Sequence, residues 1–352
     1  MPDELSPRHL RTRLLQLGAI VGLVVAVVFL GPGLGSLRAQ FDQISPGWLA
    51  LAAALELGSA LSYVVVFRGI FCPRMSWRTS YQIAMSEQAA NSLLPAGGAG
   101  GLALGAWALN RGGMSAEHIG RRSVAFFLIT SLAKFGTLIV FAALFALGIL
   151  SGDRAPAFTF GFAVAGIVVT AIVLVLPALM ERRSARRSAP ASNAGRIRSA
   201  FVHTRNALAD GVRDAVDLLR QRSVGVLLGS FGYMAFDIAV LGACFQGFGY
   251  LPPVGVLVVA YLVGQLGGLL PIPIGGIEGG LIGSFALFHT PLAVATVAVL
   301  VYRALALWIP GLLGSVAFVR LRRTLRRDEQ PAMICQPLVE PVTLNRSGMA
   351  VR

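Results

Sequence analysis

Charge is what this sequence has least of. Aspartate, glutamate, lysine and arginine make up 13% of its 352 residues, about half the share of a soluble domain. An ordinary water-soluble globule is thereby excluded. Lysine is almost missing: Lys134 is the single one, and every other cation is an arginine. Cysteine and histidine are sparse too. Cys72, Cys244 and Cys335 match no disulfide or metal spacing, and His9, His118, His203 and His289 form no ligand pair. No P-loop, dinucleotide fingerprint or Ser-His-Asp arrangement is legible. Neither a metal nor another cofactor is expected, and no catalytic motif marks the chain as an enzyme.

Long apolar runs are abundant instead. The chain is 55% hydrophobic with a mean hydropathy of +0.72. Apolar blocks at 14–34, 47–68, 122–150, 157–180, 223–248 and 291–319 are each long enough to cross ~30 Å of hydrocarbon as a helix. The net charge of +14 would suggest nucleic acid in a soluble protein. Here the arginines cluster at the ends of apolar blocks, as topology determinants do, so no nucleic-acid partner is expected. The first block follows Arg8, Arg11 and Arg13 but lacks a small-x-small cleavage site, which favours a retained helix over a signal peptide.

Two further apolar regions, 79–109 and 254–288, are broken by Pro/Gly clusters: LLPAGGAGG (Leu93–Gly101) and LLPIPIGGIEGG (Leu269–Gly280). Placing every arginine group on the cytoplasmic side requires each region to return to the face it entered from. Re-entrant hairpins satisfy this, and so would two full crossings each. The pattern is then two spans, a hairpin and a span, repeated upside down. The expected fold is an all-α polytopic membrane protein of two inverted repeats, each with three spans and one re-entrant helical hairpin, a plan typical of secondary transporters.

The repeats are assigned to 10–150 and 157–320 within a transmembrane domain covering 1–327. The segment 181–222, with ten arginines against four acids, intervenes. Its second part aligns Ile197, Phe201, Leu208, Val212, Ala215 and Leu219 near one helix face, suiting either a helix on an anionic leaflet or a solvated linker helix. Residues 328–352 read as a short disordered cytoplasmic tail. Both termini are expected in the cytoplasm, with the protein in the inner (cytoplasmic) membrane.

Ionisable groups within spans are costly, and so usually functional or paired. They are Glu56, Lys134, Asp237 and Arg303, with Glu87 and Glu278 in the hairpins. Helix positions allow Glu56 to pair with Lys134 and Asp237 with Arg303. Counted from opposite faces, Lys134 and Arg303 both approach the midplane. They either serve these ion pairs or face a cavity and hold an anionic headgroup. Glu87 and Asn91 lie four residues apart before Pro95, and Gln265 precedes Pro273 by the same interval as Glu87 precedes Pro95. These polar groups either line a groove or bond neighbouring helices. The tips contain Pro95, Gly97, Gly98 and Gly100 in one hairpin, and Pro271, Pro273, Gly275 and Gly276 in the other. Glu278 either caps the returning helix or couples protons or cations.

The segment NSLLPAGGAGGLALGAWALNRGGMS (Asn91–Ser115) resembles the first block of the flippase-like membrane domain family, the transmembrane region of lysylphosphatidylglycerol synthases and their stand-alone relatives. The second block, Pro271–Arg323, resembles the family's Pro-x-Pro-Gly-Gly-type tip, acid, Tyr-Arg pair and Trp-Pro end. Here these fall on Pro271, Pro273, Gly275, Gly276, Glu278, Tyr302, Arg303, Trp308 and Pro310. The second tip is about two residues shorter than usual. Neutral Gly97, Gly98, Gly100 and Gly101 replace the charged pattern of many relatives, so a cationic headgroup contact there does not carry over. The resemblance implies lipid translocation without the aminoacyltransferase domain. The expected partner is an anionic or polyprenyl-linked membrane lipid. The alternatives are a membrane-embedded transferase on a lipid-linked sugar or amino acid, and an accessory subunit of an envelope-lipid synthesis complex.

Overall fold

The computed structural model describes residues 44–93, 99–150, 157–161, 163–168, 171, 210–220, 223–269 and 275–327. The predicted first span, most of the 157–180 span, the first part of the linker and the 328–352 tail lie outside these residues. So do Pro95, Gly97, Gly98, Pro271 and Pro273. The described residues are helices joined by short turns, with no strand among them, and they build an all-α polytopic membrane protein.

Four described helices are long and apolar enough to cross a membrane. Helix α1 (Pro46–Phe71) begins at a proline, whose missing N–H is harmless in a first turn. Helix α4 (Ala116–Ala146) starts six residues before the predicted boundary. Ser115 accepts the His118 N–H at 3.3 Å, and Glu117 favours the positive end of the helix dipole. Helix α5 (Val224–Gly247) follows the prediction closely. Helix α8 (Leu292–Arg327) carries on past position 319 and takes the terminal arginines with it. Cys72, just past α1, is disulfide-bonded, because bridging depends on proximity in the fold and not on sequence spacing. Cys244 is a buried free thiol.

Both broken regions are hairpins. The first consists of α2 (Trp77–Leu93) and α3 (Ala99–Arg111). The second is α6 (Val254–Gly264), a 3-10 turn over Gln265–Leu269, and α7 (Gly276–Leu287). The longest of these helices, α2, has 17 residues, or ~26 Å at 1.5 Å per residue, short of the ~30 Å hydrocarbon core. The arms run antiparallel. Asn91 meets Gly101 while Glu87 meets Gly105, and Gly264 meets both Gly280 and Leu281. A Cβ at Gly280 would lie 2.5 Å from the Gly264 carbonyl oxygen, so the second hairpin closes only because no side chain stands there.

The packing repeats. Matching α1 to α5, α2 to α6, α3 to α7 and α4 to α8 pairs every principal helix contact with a second one. Helix α8 packs on α2 as α4 packs on α6. The same holds for α2·α3 and α6·α7, α1·α4 and α5·α8, α3·α4 and α7·α8, α1·α2 and α5·α6, and α1·α8 and α4·α5. The remaining contact, α1 on α5, maps onto itself. Gly69 faces Val226, Val66 faces Gly229, Ser62 faces Gly232, Gly58 faces Phe236, and Trp48 faces Gly247. These two helices therefore run antiparallel, as equivalent elements of inverted repeats must.

The ends of the bundle differ in charge. Every described arginine except Arg303 lies at the end holding the α1–α2 and α3–α4 turns and the last turns of α8. Residues 210–220 form a helical stretch docked there. Gly211 abuts Val124, Ala215 is fully buried, and Asp214 pairs with Arg121 at 2.8 Å. The Gly211 and Ala215 side of this stretch packs on protein, because these small residues leave room for α4 to approach.

Candidate functional site

The bundle brings its polar groups into one layer. Counted at 1.5 Å per residue from the arginine-poor end, Glu56 on α1, Asp237 on α5 and Tyr302 on α8 are ~15 Å deep. Arg303 on α8, Gln265 after α6 and Lys134 on α4 are ~16–18 Å deep, and Glu278 on α7 is ~14 Å deep. In a core of ~30 Å this is the midplane. Lys134 and Arg303 are therefore counted from the same end. The sequence placed them at matching depths from opposite faces because it started α4 six residues late.

The side-chain pairing differs from the expectation as well. Arg303 takes Glu278, with Nε 2.8 Å from Oε1. The other Glu278 oxygen accepts the Gly275 N–H at 3.0 Å. One carboxylate thus caps α7 and binds α8. Gly275 makes this possible because its φ of 101° suits a residue without Cβ. Glu278 and Arg303 keep 16% and 18% of their side chains exposed, so the pair remains reachable.

Asp237, predicted to face Arg303, instead accepts the hydroxyls of Tyr302, at 3.0 Å, and Tyr261. Gln265 extends the network, its Nε2 lying 3.4 Å from the Tyr302 hydroxyl. A carboxylate removed from water needs such donors, and each bond to a charged group contributes ~1.5–3 kcal/mol. Arg303 is left with Glu278 because the α6 tyrosine and the α8 tyrosine already fill the face of Asp237.

Glu56 and Lys134 do not pair. Glu56 is 4% exposed, and its Oε2 has no hydrogen-bond partner among the described residues. It lies within electrostatic range of Tyr233 and Asp237 on α5 and of Arg303 on α8. Lys134 is half-buried and within electrostatic range of Asp237, yet it makes no salt bridge with a described residue.

The first hairpin holds a separate polar group. Glu87 and Gln88 are buried, ~15 and ~17 Å from the arginine-rich end. Among the described residues Glu87 Oε2 and Gln88 Nε2 have no hydrogen-bond partner, and Glu87 faces Tyr63. Asn91 holds the hairpin arms together, its Oδ1 accepting the Gly101 N–H at 2.9 Å. Glu87 thus sits buried between helices. Gly100 and Gly276 lie in the first turns of the returning arms.

Sequence reasoning missed Tyr63, Tyr233 and Tyr261. Four of the six tyrosines, these three and Tyr302, are buried or nearly so on intramembrane acids. A tyrosine inside an otherwise aliphatic span was the available signal.

No solved structure matches the chain. A curated "UPF0104 membrane protein" of Methanothermobacter thermautotrophicus is 32% identical over 133 residues, 36% of this chain and 38% of that protein. The matched stretch thus spans well under half of that relative. The model of the lysylphosphatidylglycerol synthase transmembrane region matches residues 14–314. With that match running through both hairpins and the midplane layer, the chain belongs to the family of lysylphosphatidylglycerol synthase transmembrane regions.

Proposed function

We propose that the chain moves an anionic or amphipathic lipid, or a lipid-linked headgroup, across the cytoplasmic membrane. The observation that carries this reading is Lys134: a lysine half-buried at the midplane, without a salt bridge to any described residue, level with Arg303. An uncompensated ammonium in hydrocarbon is costly, and an incoming anion relieves that cost. A headgroup phosphate would sit between Lys134 and Arg303 while its tails stay in lipid. Gln265 and Tyr302 offer further polar contacts beside it.

The inverted packing supports alternating access. The α1–α5 crossing maps onto itself and stays fixed, while each hairpin moves with the long helix of the other half. The arginine-rich end faces the cytoplasm in this reading, in keeping with the positive-inside rule. No covalent step is assigned to any residue.

The test is reconstitution into liposomes holding a fluorescent phospholipid, with dithionite quenching of the outer leaflet. Protein-dependent movement of an anionic headgroup, lost in Arg303→Ala, is the expected result. Equal rates in protein-free vesicles, or product formation from a donor and lipid in detergent, would overturn the reading.

A further inference from the structure

The Glu278 carboxylate occupies an anion site. Its two oxygens meet donors only, the Arg303 guanidinium at 2.8 Å and the Gly275 N–H at 3.0 Å. A guanidinium beside a helix N-terminus is a pair of groups that suits a phosphate oxygen equally well. Among the described residues, Arg303 uses Nε alone in a hydrogen bond, which leaves both terminal nitrogens of its planar fork for a second anion. The contact also joins two elements that alternating access would move relative to each other, since Gly275 belongs to the hairpin turn and Arg303 to the long helix α8.

We infer that Glu278 is an internal stand-in for the substrate: its carboxylate holds Arg303 and the hairpin together while the site is empty, and an incoming phosphate group displaces it from Arg303 and frees the hairpin. The inference rests on the proposed headgroup site and names its coupling step. Specificity follows from the exchange. A ligand without an anionic group leaves Glu278 in place, so the hairpin stays docked and no headgroup moves.

The experiment measures amide hydrogen exchange over residues 275–287 of the full chain in dodecyl maltoside micelles, which carry no phosphate, with phosphatidic acid or inorganic phosphate added. Phosphatidic acid is expected to speed exchange at the start of α7 about tenfold, the factor for losing one charge-assisted hydrogen bond. Glu278→Gln is expected to exchange fast already and not to respond. A response to phosphatidic acid alone assigns the lipid headgroup; a response to both additives assigns the phosphate group whatever its tails. Exchange that stays slow while native mass spectrometry finds bound phosphatidic acid overturns the stand-in role and leaves lipid transport standing. Equal acceleration by added diacylglycerol, which has no anionic group, overturns it too. Failure of wild-type protein to move lipid in liposomes removes the transport reading itself. The wild-type measurement decides the matter even where Glu278→Gln does not fold.

Discussion

Tyr302 donates its hydroxyl to Asp237 across 3.0 Å, linking α8 to α5 at the bilayer midplane. Tyr261 donates to the same oxygen from α6, so one carboxylate ties three helices of the second half. Tyr302→Phe removes one of two donors and is expected to lower stability by about 1.5–3 kcal/mol. Asp237→Ala leaves two buried hydroxyls unsatisfied and is expected to cost more. Thermal unfolding in detergent, followed by tryptophan fluorescence, measures both. Equal stability of Tyr302→Phe and wild type would mean that the bond contributes nothing.

Ser62 and Gly232 test the antiparallel crossing of α1 and α5. A Cβ at Gly232 would lie 3.5 Å from the Ser62 Cβ, at the short edge of the separation that a disulfide spans. Ser62→Cys with Gly232→Cys is expected to form a disulfide on mild oxidation, read as a linked peptide pair by mass spectrometry. The control pair Ser62→Cys with Gly242→Cys is expected to stay reduced, because Gly242 faces Leu257 and Leu251 instead.

The sequence carried the fold further than the site. Arginine placement alone required regions 79–109 and 254–288 to turn back, and both form antiparallel hairpins. The turn positions were legible because proline and glycine act locally on the backbone. The pairing was not. It depends on which helix faces which, and depth along a span does not give that: Glu56 and Lys134 lie within ~3 Å of the same depth and still do not pair. Asp237 illustrates the remainder: its partners are tyrosines, which hydropathy counts as near-neutral and charge counting passes over.

Gly280 sets how closely the arms of the second hairpin pack. Gly280→Leu brings a side chain against the Gly264 backbone, and the arms have to part. The expected cost is about 1–3 kcal/mol or more, with loss of transport. Gly283, which has open space around its Cβ position, is the matched control: Gly283→Ala is expected to unfold within about 0.5 kcal/mol of wild type. A Gly280→Leu protein with normal stability and normal transport would show that the arms do not need this contact.

Lys134 separates structural from functional use of an intramembrane charge. A lysine held in an ion pair loses stability on neutralisation, since its partner is left buried and alone, at about 3–5 kcal/mol. Lys134 has no salt bridge with a described residue, so Lys134→Met is expected to fold with unchanged or higher stability. Transport of an anionic lipid is expected to fall at least tenfold in the same protein, and Lys134→Arg, which restores the charge, is expected to recover part of it. Both quantities come from one preparation, by thermal unfolding and by headgroup movement in liposomes. A stability loss in the ion-pair range would return Lys134 to a purely structural role, and full transport by Lys134→Met would remove it from the headgroup site.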